Sequence, residues 1–253
     1  MTALGDPRFE YLLRLGDDAL VLGQRLSEWC GHAPTLEVDL SLANIGLDLI
    51  GQATFFLGYA GELEGKGRDA DALAFHRDVL AYRNCLMVEQ PNGDFVRTIA
   101  RQFLYSSMHE LLLGALIRSN DARIAEVAAK GVKEVRYHRE LAGDWVIRLG
   151  DGTDESRQRM IDGLDWHWRF VDELFQMDAI EQALAAEGVA ADRSTLRPAF
   201  DAGVAAVLND ATLEMPELPR ATVGGRVGHH SEHLGHLLAV MQHLPRSYPD
   251  ARW

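Results

Sequence analysis

Cysteine is scarce in this sequence: two residues, Cys30 and Cys85, among 253. They stand far apart and form no CxxC pair, which argues against a disulfide framework or a thiolate metal site and favours the cytoplasm. The first residues lack the basic start and apolar core of a signal peptide. No stretch approaches the roughly 20 apolar residues of a membrane-spanning helix. We therefore expect a soluble, cytoplasmic protein without a membrane partner.

Basic residues are also few, since 25 Lys and Arg stand against 38 Asp and Glu and give a formal net charge of −13. Nucleic acids and anionic membranes both require a basic binding face. The charge therefore argues against either partner. It is compatible with a cytosolic enzyme or with a chain that docks onto a basic partner subunit.

Strand alternation, internal repeats and domain linkers are absent, whereas helical spacing of apolar residues dominates. The residues from Glu214 to Gly228 hold two prolines and three glycines and predict a loop. The fold class is all-α, a helical bundle with additional helices, formed by residues 1–253 as a single domain. The predicted helices cover about Phe9–Cys30, Thr35–Leu63 with Thr35 as N-cap, Asp71–Arg83, Phe95–Leu116, Ile124–Leu149, Glu155–Gly188, Thr195–Leu213 and Ser231–Leu244.

The sequence also lacks the Glu-x-x-His pairs that bundles use to hold two iron or manganese ions. Glu and His three residues apart share a helix face and reach the same metal pair. None of the ten histidines has an acidic residue three positions before it. HExxH, GxxxxGK[ST] and GxSxG are missing as well. These absences exclude the standard two-metal site but not every metal site. Our prediction for the chain is that it has no catalytic, cofactor-binding or metal-binding residue.

Two histidine groups leave alternatives open. His138, with Glu134 one turn earlier and His109 on the preceding long helix, is either part of an atypical metal site or a core histidine with a polar partner; burial of polar groups favours the second. The histidines of HHSEHLGH, from His229 to His236, are spaced to share a helix face and bind a metal. A polar helix start or a contact with a partner is the favoured interpretation.

Five segments carry a family resemblance: LVLGQRLSEWCGHAP, ANIGLDLIGQA, VEQPNGDF, KEVRYH and SEHLGHLLAVMQ. They closely resemble the PaaC-type C subunits of bacterial phenylacetyl-CoA monooxygenases, or 1,2-epoxidases, from about Leu12 to Met241. The resemblance implies a ferritin-like fold and a structural subunit that is not catalytic by itself. It also implies a homologous A subunit that carries the di-iron centre, a small B subunit, and a flavin and iron–sulfur reductase. The complex epoxidises phenylacetyl-CoA in aerobic phenylacetate degradation.

The metal-ligand pattern of the catalytic relative can be placed on this chain through the same resemblance. In chain order its positions fall at Asp17 or Asp18, at Leu49 and Gln52, near Ser106, and at Val135 and His138. At most one or two ligands survive. Without a metal, several buried carboxylates would repel one another and lose hydration, so apolar replacements are physically reasonable.

Two further interpretations concern binding. Arg97, Arg101 and Lys133 are conceivable phosphate partners for a CoA thioester, although lone basic residues on helices are mostly solvated. A helix face shaped for a partner is expected to be apolar, so the isolated chain can be expected to form a homodimer through it.

Overall fold

The computed structural model describes residues 6–217, 220–249 and 251, so residues 218 and 219 of the predicted loop lie outside it. The described residues form α-helices and no strand, which confirms the all-α class and agrees with a ferritin-like fold. The α-helices are α1 (Pro7–Ser27), α2 (Leu36–Glu64), α3 (Ala70–Phe75), α4 (Leu86–Glu89), α5 (Phe95–Leu116), α6 (Ala122–Gly150), α7 (Asp154–Trp168), α8 (Ala179–Ala186), α9 (Arg197–Asp210), α10 (Glu232–Met241) and α11 (His243–Ser247).

The described residues group into two compact units. Unit 1 contains those of 1–91 and 224–253, and therefore α1 to α4 with α10 and α11. Unit 2 contains those of 92–223, with α5 to α9. The single domain over 1–253 stays a prediction.

Unit 1 is built on the packing of α1 against α2. Thr35 caps α2 as predicted, because its side chain accepts a hydrogen bond from the Val38 amide at 3.4 Å. The two helix backbones approach closely at a pair of glycines. A Cβ added to Gly23 would lie 3.1 Å from the carbonyl oxygen of Gly46, and one added to Gly46 would lie 3.3 Å from that of Gly23. The glycines therefore set how tightly the helices pack.

Helix α2 is more apolar than we expected for any segment of this chain. Within the described residues it is long enough and apolar enough to cross a membrane, with a mean hydropathy of 1.4 over its most apolar stretch. The expectation that no stretch approaches a membrane span was therefore wrong by length and composition. A core helix of a soluble protein meets the same criterion, and 44% of that stretch is buried inside the structure.

Unit 2 is built on α5 and α6, which pack along each other. Their ends follow ordinary capping rules: Asp94 accepts a hydrogen bond from the Arg97 amide at 2.8 Å, and Asp121 accepts from the Ile124 amide at 3.3 Å. The chain reverses between α5 and α6 at Asn120. Its side-chain amide donates to the carbonyl of Glu187 at 2.7 Å, which anchors the turn to the end of α8.

Three predicted helix boundaries were wrong. The helix predicted over Glu155–Gly188 is divided into α7, a 3-10 turn at Asp172–Phe175 and α8. The start of α8 is set by Asp178, whose carboxylate caps the Ile180 and Glu181 amides at 3.1 and 3.0 Å.

The helix predicted over Asp71–Arg83 ends at Phe75 and resumes as a 3-10 turn at Val79–Ala81. The chain leaves the helix there because Arg77 and the Arg83 amide bond to Asp17. Helix α1 ends at Ser27 instead of Cys30. The chain continues in tighter turns, in one of which the Cys30 amide donates a hydrogen bond to the Ser27 carbonyl at 3.1 Å.

Two glycines of α2 should respond in opposite ways to alanine. A Cβ at Gly61 would lie 1.9 Å from the backbone oxygen of Arg68, whereas one at Gly51 would meet nothing within 4 Å. We expect Gly61→Ala to lower the free energy of unfolding by about 1–3 kcal/mol or more. Gly51→Ala should raise it by about 0.5–1 kcal/mol through helix propensity. Urea unfolding followed by circular dichroism measures both, and equal stability of the two variants would contradict this account of the packing.

Candidate functional site

The two first-helix carboxylates are engaged by arginines. Asp17 is fully buried, and Arg77 binds it with two guanidinium nitrogens, Nη1 lying 2.9 Å from Oδ2 and Nη2 contacting Oδ1. Such bidentate pairs are among the stronger hydrogen-bonded contacts in proteins. The Arg83 amide donates to the same Oδ2 at 2.8 Å. Asp17 therefore joins α1 to the segment that follows α3.

Arg77 is held in place from several sides. Its Nη1 also donates to the carbonyl of Ala81 at 3.1 Å, and its guanidinium carbon lies 4.4 Å from the centre of the Tyr82 ring. Burial by itself lowers the pKa of Arg77, but the Asp17 carboxylate more than offsets this and leaves the pKa above its usual value. Burial has the opposite effect on the neighbouring Tyr82 hydroxyl and raises its pKa well above the usual value. The guanidinium therefore stays charged beside Asp17.

Asp18 makes a second ion pair in unit 1. Its Oδ2 lies 2.6 Å from Nη2 of Arg226, and its Oδ1 accepts the Cys85 amide at 2.7 Å. Arg226 also donates to the carbonyls of Arg14 and Arg83 at 3.2 and 3.0 Å. Asp18 thus ties the C-terminal part of the chain to α1.

A third buried carboxylate, Glu89, accepts three hydrogen bonds. They come from Asn84 Nδ2 at 2.8 Å, the Ser231 amide at 2.6 Å and His230 Nδ1 at 2.7 Å. The other ring nitrogen of His230 lies 3.1 Å from the carbonyl oxygen of Tyr82. Both ring nitrogens face acceptors, so the imidazole can donate to both only when each nitrogen carries a hydrogen. Glu89 and His230 fasten the start of α10 to α4.

The remaining histidines of HHSEHLGH do not gather around this carboxylate. His229 and His236 are exposed, and His233 is half-buried, with its backbone oxygen accepting from Arg25 at 3.1 Å. Within the described residues, no group of three or more His, Cys, Asp or Glu side chains is arranged to hold a metal ion. The cluster therefore contributes one histidine to a structural contact, and nothing in its geometry favours the metal interpretation.

The α2 positions that the resemblance assigns to metal ligands are Leu49 and Gln52. Both are buried, with 1% and 4% of their surface exposed. Leu49 packs toward α1, since a Cβ on Gly23 would lie 3.4 Å from the Leu49 Cβ. A leucine has no donor atom, so this half of the pattern cannot hold a di-iron centre of the usual composition.

The corresponding positions of unit 2 are Ser106 on α5 and Val135 and His138 on α6. All three are buried, and the Ser106 hydroxyl donates to the carbonyl of Gln102 at 2.5 Å. Glu134 is half-buried, and its carboxylate lies 3.8 Å from Lys130 Nζ. His138 is completely buried, as both a core histidine and a metal ligand would be, so its burial does not decide between the two interpretations. The donor set that these positions offer does not fit two metal ions.

The residues suggested for CoA phosphate do not form a cationic pocket. Arg97 stacks on Trp166, its guanidinium carbon 3.9 Å from the ring centre, and Arg101 is buried and donates to Asn92 Oδ1 at 2.6 Å. Lys133 is exposed on α6. A groove of about 800 Å³ beside Trp166 is lined by two arginines and four acids, namely Arg157, Arg169, Asp162, Asp165, Glu214 and Glu217, among other residues. Its charge is unsuited to phosphate groups.

Arg77, Arg226 and Glu89 could not be identified as partners from the sequence. A signal was present, because the adjacent acids Asp17 and Asp18 lie within the apolar stretch from Leu15 to Leu22 and require cationic partners if they are buried. Which arginines supply the charge is set by contacts at long sequence separation.

Comparison with known proteins defines the class. The sequence profile of the family described as "Phenylacetic acid catabolic protein" matches residues 2–253, and the chain belongs to this family. It is 53% identical over 243 residues to the C subunit of the 1,2-phenylacetyl-CoA epoxidase of Escherichia coli K12, with 96% of this chain and 98% of that protein covered. The resemblance seen in the sequence is confirmed.

The Asp17–Arg77 pair should behave as a coupled unit. We expect Asp17→Asn or Arg77→Met alone to lower the free energy of unfolding by about 3–5 kcal/mol, because each leaves a buried charge without its partner. The double variant should lose less than the sum of the two single losses. Urea unfolding of all four proteins measures the coupling.

The exposed pair Arg159–Glu155, at 2.6 Å, serves as the control. Arg159→Met should change stability by no more than about 0.5 kcal/mol. Strictly additive effects of Asp17→Asn and Arg77→Met would contradict the buried pairing.

Proposed function

We propose that this chain is the C subunit of a 1,2-phenylacetyl-CoA epoxidase, and that it is a structural, non-catalytic component of aerobic phenylacetate degradation. The observation that carries the proposal is the 53% identity to the C subunit of such an epoxidase over nearly the full length of both chains. A match that spans 96% of this chain covers both compact units, so it concerns the whole protein and not one shared module.

The non-catalytic role rests on the chemistry of the ligand positions. Leu49 and Val135 are hydrocarbon and buried, and Asp17 and Asp18 are already neutralised by arginines. Di-iron sites of this fold need several carboxylates. We therefore assign no catalytic, cofactor-binding or metal-binding residue to this chain. In this proposal the di-iron centre belongs to the A subunit, and the flavin and iron–sulfur cluster belong to the reductase.

In this proposal the chain acts in the cytoplasm by binding the other subunits of the complex. Its main partner is the catalytic A subunit, and the small B subunit and the reductase complete the complex. A permanent interface between subunits of this kind is expected to bury about 2,000 Å² or more. Apolar side chains at the former ligand positions support this role, because a bundle without metal is more stable when its interior holds no unpaired acids.

Reconstitution tests the proposal. Co-expressed with the A subunit, this chain should co-purify with it, and oxygenation of phenylacetyl-CoA should require both chains together with the reductase. An A subunit that is folded and fully active without this chain would overturn the structural role.

Substitutions at the former ligand positions test the non-catalytic part separately. Ser106→Ala and His138→Gln should leave the turnover of the complex within about twofold of the unaltered complex, since loss of a true catalytic acid or base costs about 10²–10⁴-fold. Circular dichroism and co-purification verify that each variant is folded and assembled. A large loss of turnover in an intact complex would show that these residues take part in the chemistry.

A further inference from the structure

Helix α2 turns a row of large apolar side chains toward solvent. Leu36, Leu40, Leu47 and Phe55 are 71%, 56%, 66% and 53% exposed. At about 100° per residue they fall within an arc of roughly 100°, and they extend over about 28 Å of the helix. The buried side of the same helix carries Leu42, Ile45, Leu49, Ala53, Phe56 and Ala60. The helix is therefore apolar on two sides, and one of them is left uncovered by the described part of the chain.

Two glycines lie on the exposed side of α2, where no close contact inside the chain requires a glycine. A Cβ added to Gly51 or Gly58 would meet nothing within 4 Å, in contrast to Gly46 and Gly61 of the same helix, where a Cβ would approach backbone oxygen atoms. A glycine inside a helix costs about 1 kcal/mol relative to alanine. Gly51 and Gly58 therefore weaken the isolated helix and gain nothing inside the chain, whereas they would let a second backbone approach closely.

The charges of α2 restrict what can cover this side. The helix contains five acids and no lysine, arginine or histidine, the acids being Glu37, Asp39, Asp48, Glu62 and Glu64. The side chain of Glu64 is 6% exposed and is paired with Arg68 and Lys66. Glu37, Asp48 and Glu62 lie beside the apolar row, near the start, the middle and the end of the helix, so a second copy of the chain would place acid against acid in either a parallel or an antiparallel pairing. An anionic membrane surface is disfavoured for the same reason. A protein surface with basic residues around an apolar centre is complementary.

We infer that the face of α2 formed by Leu36, Leu40, Leu47, Gly51, Phe55 and Gly58 docks a helix of the partner subunit, with Gly51 and Gly58 at the closest approach and Lys or Arg of the partner beside the acids of α2. The inference rests on the proposed function for the identity of the partner and adds the surface that binds it. Large side chains form the apolar centre of such an interface, and the charges form its rim.

The glycines separate docking from folding. Gly51→Leu should leave the stability of the isolated chain unchanged or raise it, since the space is open, but it should weaken binding of the A subunit at least tenfold. Leu47→Asp should weaken binding to a similar extent. Calorimetric titration of the full-length chain with the A subunit measures the affinity, and urea unfolding of the chain alone measures stability.

Leu80→Asp and Val240→Asp are the matched controls. Both residues are apolar and exposed, at 75% and 77%, and lie outside α2. Their substitution should leave binding unchanged. Raising NaCl from 50 to 500 mM should slow association of the unaltered chain, because salt screens the attraction between a basic rim and the acids of α2.

The outcomes are distinct. If the unaltered chain does not bind the A subunit, the proposed function fails. If it binds, and Gly51→Leu and Leu47→Asp bind equally well, the assignment of this face is wrong. Two other results would overturn the choice of a partner-subunit helix as the occupant. One is self-association of the chain that Leu47→Asp abolishes. The other is flotation of the chain with phosphatidylcholine and phosphatidylglycerol vesicles that the same substitution abolishes.

Discussion

Buried carboxylates require compensation, by a positive partner or by several hydrogen bonds, and much of the organisation of unit 1 follows from how that requirement is met. Asp17 and Asp18 lie inside the unit, where an unpaired charge would be costly. Arg77 and Arg226 supply the charge from 60 and 208 residues further along the chain. To deliver the first guanidinium, the chain leaves α3 early. To deliver the second, the segment before α10 returns to α1.

The same requirement applies to the positions that the resemblance aligns with metal ligands. A metal pair would neutralise a group of interior acids, whereas the aligned positions of this chain hold the apolar Leu49 and Val135, and its buried Asp17 and Asp18 pair with arginine. Each solution removes uncompensated charge from an apolar interior. In the proposed role as a scaffold, such an interior needs no bound ion for its stability, and the exposed side of α2 is the surface that we propose for association.

Local patterns in the sequence were sufficient for part of this picture. The long helices α2, α5 and α6 could be predicted because their apolar spacing is regular and Thr35, Asp94 and Asp121 cap them. The absence of Glu-x-x-His could also be read directly. The break before Asp178 was missed because apolar spacing continues through it, so periodicity alone does not mark a new cap. The partners of Asp17 and Asp18 depend on tertiary contacts that spacing does not encode, and the exposed leucines of α2 resemble core residues until the fold shows which side is covered.

The central claim, that this chain is a scaffold without a metal centre of its own, is tested most directly by metal analysis. Iron and manganese should be quantified by mass spectrometry in the tag-free chain, in the A subunit, and in their purified complex. We predict substoichiometric metal in this chain and about two metal ions on the A subunit, alone or in complex. Stoichiometric iron or manganese that stays with the separated chain, and is lost in His138→Gln, would contradict the claim.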